Sequence, residues 1–275
     1  MCLARNSKLM SLKRAIHGLV NHLGYDIIRK RSIPSSPLIP DSLSADMKQG
    51  MQLVQNHTML PPQRLVSLFQ QALFCEISRM TGAFVECGTW KGGAVGLMAF
   101  VNLRHGKGLR HIHLFDSFEG IPEPDKDLDG ERAHQEVSDV GGESEGRLQA
   151  VDGFYEAYAD GVGTLDDNKN LLQKIIGYDA SHLHYHKGWF QDTIPNDAKL
   201  VEDIAILRLD GDWYASTKIC LDYLYDQVVP GGFIIVDDYG YYEGCRNAVD
   251  EFLDGRGIHV YMQAIDNTAV FWIKP

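Results

Sequence analysis

Paired cysteines, long apolar runs and a dinucleotide fingerprint are all missing from this 275-residue chain. Its five cysteines (Cys2, Cys75, Cys87, Cys220, Cys245) are scattered, odd in number and never in a CxxC pair. That excludes a disulfide framework and a zinc site, and points to a reducing cytoplasm. No uninterrupted apolar stretch approaches the roughly 20 residues that a membrane-spanning helix needs. Residues 1–24 are broken by Lys8, Lys13, Arg14 and His17, so no secretory signal is read there. The loop GxGxxG is absent, which speaks against a nicotinamide-dependent sugar oxidoreductase. Positive charge is also short: the formal net charge of −11 argues against general nucleic-acid binding.

What basic charge there is gathers at the start. Residues 1–31 hold Arg5, Lys8, Lys13, Arg14, Arg29, Lys30 and Arg31 against one acid, Asp26. Ile16, Leu19, Val20, Leu23 and Ile27 recur between them at helical spacing. Such a helix either lies on an anionic membrane surface or packs its apolar stripe on the rest of the chain. IPSSPLIPD, residues 33–41, carries three prolines and reads as a linker. The expected organisation is a basic amphipathic segment with its linker over residues 1–50, then one sizeable domain over 51–275. The 44% hydrophobic content supports a large core.

Within that domain, apolar spacing predicts a helix over 64–80 and strands at 83–87, 111–115, 182–186, 204–209 and 233–236. Residues 259–265 and 269–273 flank Asp266-Asn267-Thr268 and read as a tight hairpin. Strands alternating with helices predict an α/β fold: a doubly wound, mostly parallel sheet closed by a C-terminal antiparallel hairpin. Residues 118–163 break the rhythm: Asp125, Asp127, Asp129, Glu131, Glu136, Asp139, Glu143 and Glu145 fall there among several glycines. A stretch this long is either a lid that orders over ligands or a mobile acidic surface loop.

Two apolar strands end in acid. ILRLDGDWYAST (residues 206–217) delivers Asp210 and Asp212, and GGFIIVDDYG (231–240) delivers Asp237 and Asp238. Ligands bind at the carboxyl ends of strands in such sheets. One acidic strand end is an ordinary solvated turn. Two side by side repel unless a cation sits among them, and oxygen ligands favour a hard divalent ion such as Mg2+. Upstream, VECGTWKGGA (85–94) is a strand, a glycine turn and a helix start. Gly88 there allows close approach to a ligand, and Gly92 and Gly93 allow tight helix-to-strand packing. Asp116 ends the next strand, where its two oxygens suit the hydroxyls of a ribose. Turn and acid together favour an adenosyl cofactor.

ECGTWKGGA, LFDSFEGIP, KGWFQDTIP, LRLDGDWYAST and VPGGFIIVDDYG…GCRNAVDEF, in this order, resemble the macrocin O-methyltransferase family. The resemblance runs from about His57 to the C-terminus, leaves residues 1–50 outside, and finds 117–181 longer than in the antibiotic enzymes. It implies a class I, Rossmann-like methyltransferase that uses Mg2+ and S-adenosyl-L-methionine to methylate sugar hydroxyls. Carried over by motif, Glu86, Cys87, Gly88, Thr89 and Trp90 line the methionine portion, Asp116 and Ser117 hold the ribose, and Trp189 and Phe190 flank the adenine. Thr58 and Met59 close over the cofactor. Asp210, Asp237 and Asp238 are the metal ligands, and Asp212 is the general base, ranked ahead of His57, His134, His184 and His186. The residues alone do not distinguish Asp212 from a fourth ligand. The partners implied are a small-molecule glycoside or lipid-linked glycan acceptor, peripheral contact with an anionic membrane through residues 1–31, and a second copy of the chain as a homodimer. Two rival readings are a catechol-type phenol methyltransferase and a non-enzymatic, membrane-held cofactor-binding adaptor.

Overall fold

The computed structural model describes residues 44–275, so the basic segment and the Pro-rich linker lie outside the described residues. Five short strands form a parallel ladder: β1 (Ala83–Cys87), β2 (Ile112–Asp116), β3 (Leu183–Lys187), β4 (Ile204–Leu209) and β5 (Val228–Val236). β6 (Gln263–Ala264) and β7 (Val270–Ile273) complete a seven-stranded sheet in the order β3-β2-β1-β4-β5-β7-β6, with β7 antiparallel to β5. The order reverses beside β1, so the carboxyl ends of β1 and β4 flank a crevice where ligands bind in doubly wound sheets.

The expected strands 83–87 and 204–209 match residue for residue. β5 starts five residues earlier than expected, because the sheet absorbs Pro230 and Gly231 in a bulge. Ile204 pairs Val228 but Ile206 pairs Phe233, and Gly231 takes φ +86°. The hairpin forms, yet its first arm shrinks to two residues: Ile258, Val260 and Met262 pack against the core without joining the ladder.

Side-chain alternation splits the sheet into two apolar faces. On one, Val85, Leu207, Ile234 and Val236 pack with α7 (Phe190–Asp197), α8 (Tyr214–Leu224) and α9 (Glu243–Gly255). On the other, Phe84, Leu114, Ile206 and Ile235 meet α1 (Ala45–Val54), α2 (Pro62–Ile77) and α3 (Gly93–His105). Every residue of α3 from Gly93 to Asn102 is buried, since α1 and α2 cover the side away from the sheet. α1 moves the domain boundary, because a cut between residues 50 and 51 falls inside it. A Cβ at Gly50 would press on Leu97 and Phe100 of α3 at 2.9 Å.

The 118–163 segment is neither a bare loop nor detached. It forms α4 (Gly130–Asp139) and α5 (Phe154–Tyr158), followed by α6 (Leu165–Lys169), which runs on as a π-helical stretch over Asn170–Ile175. Ile121, Ala133, Val137, Val151 and Phe154 sit inside the first core face, so hydrophobic burial pins the insert to the sheet.

Candidate active site

Strand register assembles the acidic rim. Glu86 of β1 lies beside Arg208 of β4, and Leu209 lies beside Val236 of β5, so Asp210 and Asp237 emerge as neighbours. Backbone bonds zip these ends together: Gly88 N to Phe115 O at 2.9 Å, Asp210 N to Cys87 O at 2.8 Å, and Asp237 N to Leu209 O at 3.0 Å. Gly88 is required here for packing. It holds φ +90°, and a Cβ would lie 1.8 Å from the Asp210 carbonyl oxygen. Gly93 makes room for the His57–Thr58 segment instead of the strand: a Cβ would meet His57 O and Thr58 Cβ at 2.5 Å.

One carboxylate oxygen from each of Asp210, Asp237 and Asp238 lies within 4.8 Å of the others. Two cations that the strand-end argument does not count sit among the acids. Arg208, fully buried, donates Nη1 to Asp210 Oδ2 at 2.7 Å and to Glu86, and Nη2 to Asp237. Arg64 of α2 donates Nε to Asp266 Oδ2 at 2.7 Å and also bonds Asp237 and Thr268, tying the rim to the hairpin. Arg208 thus serves Glu86, Asp210 and Asp237, and Arg64 serves Asp237 and Asp266, while neither guanidinium bonds Asp212 or Asp238. Burial pushes Glu86 up to about 8, an effect Arg208 only partly offsets. Burial likewise raises Asp237 to about 6, against the pull of Arg208 and Arg64. Asp238 is held well above its ordinary value by burial and by the charges of Asp212, Asp237 and Asp210, and its Oδ2 is buried without a partner. A cluster of hard oxygens with excess negative charge and an orphaned carboxylate oxygen fits a divalent cation.

Asp212 stands apart from that triad. It occupies a left-handed backbone position (φ +59°), which costs a non-glycine residue on the order of 1 kcal/mol. The turn is maintained by Trp213 N donating to Gly211 O at 2.6 Å and by the buried Trp213 ring. Burial, then Asp210 and Asp237, raise the Asp212 carboxyl well above its usual range. The insert stitches this loop down: Trp213 Nε1 donates to Pro122 O at 2.8 Å, and Asp129 Oδ1 accepts from Tyr214 N at 2.6 Å.

Of the residues expected around the cofactor, Gly88, Trp90, Asp116, Ser117, Trp189 and Phe190 line one cleft with Asp210 and Asp212. Thr58, Met59, Glu86, Thr89 and Trp90 line an adjoining space of about 390 Å³ with all four strand-end aspartates. Cys87 is the exception among the expected residues. Its side chain is buried in the core facing Cys220, and only its carbonyl serves the site, by accepting from Asp210 N. Asp116 has work inside the protein: Oδ2 accepts from Thr89 N at 2.6 Å and Trp90 N at 3.3 Å, and Oδ1 from Phe118 N at 2.6 Å. It therefore shapes the glycine turn as well as facing the cleft.

Several site residues escape sequence reasoning. Arg208 had a signal, a lone cation inside the buried run IAILRL. Arg64, Glu136, Tyr155, Tyr241 and Tyr242 had none, because nothing local distinguishes them from surface polar residues. Tyr214 and Lys218 do have the YxxxK spacing of an oxidoreductase pair, a match that sequence reading overlooks. They turn away from the cleft, however, to bond Glu251 and Asp222 at 2.6 Å.

A parallel sheet in this order, a glycine turn at β1 and acids at the ends of β4 and β5 define a class I methyltransferase. Comparison with known proteins narrows this further. The family described as Macrocin-O-methyltransferase (TylF) matches residues 44–162 and 164–274, and the chain belongs to that family. Relatives include the 8-demethyl-8-(2,3-dimethoxy-alpha-L-rhamnosyl)-tetracenomycin-C 4'-O-methyltransferase of Streptomyces olivaceus, 34% identical over 78% of this chain and 75% of that one. Mycinamicin III 3''-O-methyltransferase of Micromonospora griseorubida is 32% identical over 78% of each chain. Among solved structures, the O-methyltransferase NovP superposes with a TM-score of 0.65 at 29% identity, covering 79% of this chain and 82% of NovP. The protein is an S-adenosylmethionine-dependent O-methyltransferase.

Proposed function

We propose that the enzyme methylates a sugar hydroxyl of a glycosylated natural product or glycan, with Mg2+ held by Asp210, Asp237 and Asp238 and with Asp212 as general base. The observation that carries this reading is the convergence of three strand-end carboxylates beside an orphaned Asp238 oxygen, with Asp212 lining the same space. Relatives named for methylating a rhamnosyl tetracenomycin and mycinamicin III support the acceptor class. When bound, the cofactor supplies an electrophilic methyl carbon and the cation a Lewis acid that favours the alkoxide. The chain's own residues do the rest. Asp116 and the turn it braces, with Trp189 and Phe190, hold the nucleoside end. Asp212 accepts the hydroxyl proton as the C–O bond forms and the C–S bond breaks. Burial and the neighbouring carboxylates raise its proton affinity, the direction a general base needs. Thr58, Met59 and the insert wall off water.

A sugar alcohol needs that base, whereas a more acidic catechol needs little help. Incubation with methyl-labelled S-adenosylmethionine and a panel of glycosides, with and without EDTA, tests the reading. Label is expected on a glycoside hydroxyl, lost in chelator and restored by Mg2+. Full turnover in EDTA would remove the metal assignment. The seven basic residues within 1–31 support peripheral contact with anionic membrane, as suits a lipid-linked glycan acceptor.

A further inference from the structure

Beyond the rim of acids lies a third hollow, bounded by aromatic residues from two separate parts of the chain. Phe154, Tyr155 and Tyr158 come from α5 of the insert, with Phe154 packed 5.7 Å and 4.9 Å from the other two rings. Tyr241 and Tyr242 come from the loop after β5, their rings 4.7 Å apart and edge-to-face. One residue joins the two walls. Glu136 of α4 accepts from Tyr241 Oη at 2.8 Å on Oε1 and from Tyr242 Oη at 2.6 Å on Oε2, while its backbone carbonyl accepts from Tyr158 Oη at 3.2 Å. Arg132, one turn earlier on α4, lies 4.3 Å over the Tyr241 ring. Asp210 and Asp212 line the floor of the same hollow.

We propose that Glu136 is a specificity-determining positioning residue, its carboxylate fixing Tyr241 and Tyr242 as one wall of an acceptor subsite for a pyranose ring, opposite the aromatic residues of the insert. The inference rests on the glycoside reading above and says how the insert chooses among acceptors. A pyranose has apolar C–H faces and hydroxyl edges, so it matches aromatic walls above a floor of carboxylates. Without the Glu136 carboxylate the Tyr241–Tyr242 wall loses its anchor, while the backbone carbonyl still accepts from Tyr158, and the pyranose ring is held more weakly.

The test is steady-state kinetics of the full chain with p-nitrophenyl glycosides of rhamnose, glucose and galactose, with 4-nitrocatechol as the flat alternative. Glu136→Ala is expected to raise KM for the pyranoside about tenfold or more while kcat stays within about threefold, the pattern of lost acceptor binding. Affinity for S-adenosylhomocysteine, read by calorimetry, should be unchanged. Glu136→Gln keeps the shape and one acceptor oxygen and should recover most of the KM. If Glu136→Ala does not fold, the Tyr241→Phe, Tyr242→Phe double variant removes the same two bonds and should raise KM alike. An unchanged KM, or a matching loss of S-adenosylhomocysteine affinity, overturns the subsite while leaving glycoside methylation standing. Wild-type enzyme that methylates 4-nitrocatechol and no pyranoside overturns both.

Discussion

Asp212 and Asp238 both face the cleft with raised proton affinity, yet their surroundings assign them different work. Asp238 shares the 4.8 Å cluster with Asp210 and Asp237, while Asp212 lies outside it on a strained turn. Asp212→Asn is therefore expected to lower kcat on the order of 10²–10⁴-fold, the usual worth of a general base, with cation and cofactor affinity nearly intact. Asp238→Asn should instead weaken cation binding, so raising Mg2+ should restore part of its activity. Rescue of Asp212→Asn by Mg2+ would reverse the two roles. Arg208 is the residue on which the rim's stability depends. Replacing it with Met leaves Glu86, Asp210 and Asp237 without their common partner. Breaking a buried charge cluster this way costs about 3–5 kcal/mol. Thermal unfolding should show a midpoint lower by on the order of 10 °C for a domain of this size.

At the scale of elements, the pairing of β2 with β3 carries a ladder of histidines. His111 Nδ1 meets His184 Nε2 at 2.8 Å, His113 Nδ1 meets His186 Nε2 at 3.0 Å, and His186 Nδ1 meets Asp197 Oδ2 of α7 at 2.9 Å. His182 and Phe115 stack at its two ends. Burial, and then the charges of His184, His186 and His111, push His113 down to about 3. An unfolded histidine takes its proton near 6.5. Between those values the folded chain binds fewer protons at His113, so this contribution is complete above pH 6.5 and is lost as the pH falls toward 3. The buried carboxyls Glu86 and Asp237, raised above their ordinary values, act in the opposite sense. The ladder is therefore read as a difference: from pH 7.5 to 5.0, wild type should lose about 1–2 kcal/mol relative to His113→Phe in urea unfolding. Parallel curves for the two proteins would contradict the assignment.

At the scale of the whole molecule, two terms separate. Residues 44–275 contain the sheet, both core faces and every residue of the proposed chemistry, and no helix among the described residues is long and apolar enough to cross a membrane. Residues 1–31 carry the concentrated positive charge of an otherwise acidic chain. Each basic residue near an anionic surface contributes about 1 kcal/mol, screened by salt. Removing 1–31 is expected to abolish sedimentation with phosphatidylserine-containing liposomes at low salt while leaving methylation of a soluble glycoside intact. Intact protein that stays in the supernatant would remove the membrane role of this segment.

The strand runs, the glycine turn and the acids after β4 and β5 are local features, and sequence alone determined them. A strand's apolar pattern and a turn's backbone demands are set by neighbours in the chain. Tertiary structure decided the rest. Glu86 meets Arg208 only because β1 lies between β2 and β4, and Arg64 meets Asp237 only because α2 packs over that rim. The insert reads as loose acidic chain, since glycines and acids mask its few apolar anchors, and only burial of Val137, Val151 and Phe154 makes it a wall. Charge pairing and pocket shape depend on residues far apart in sequence, so no local pattern encodes them. That is why the strand-end acids were legible in the sequence, while the arginines that pair with Asp210 and Asp237 and the glutamate that bonds Tyr241 and Tyr242 were not.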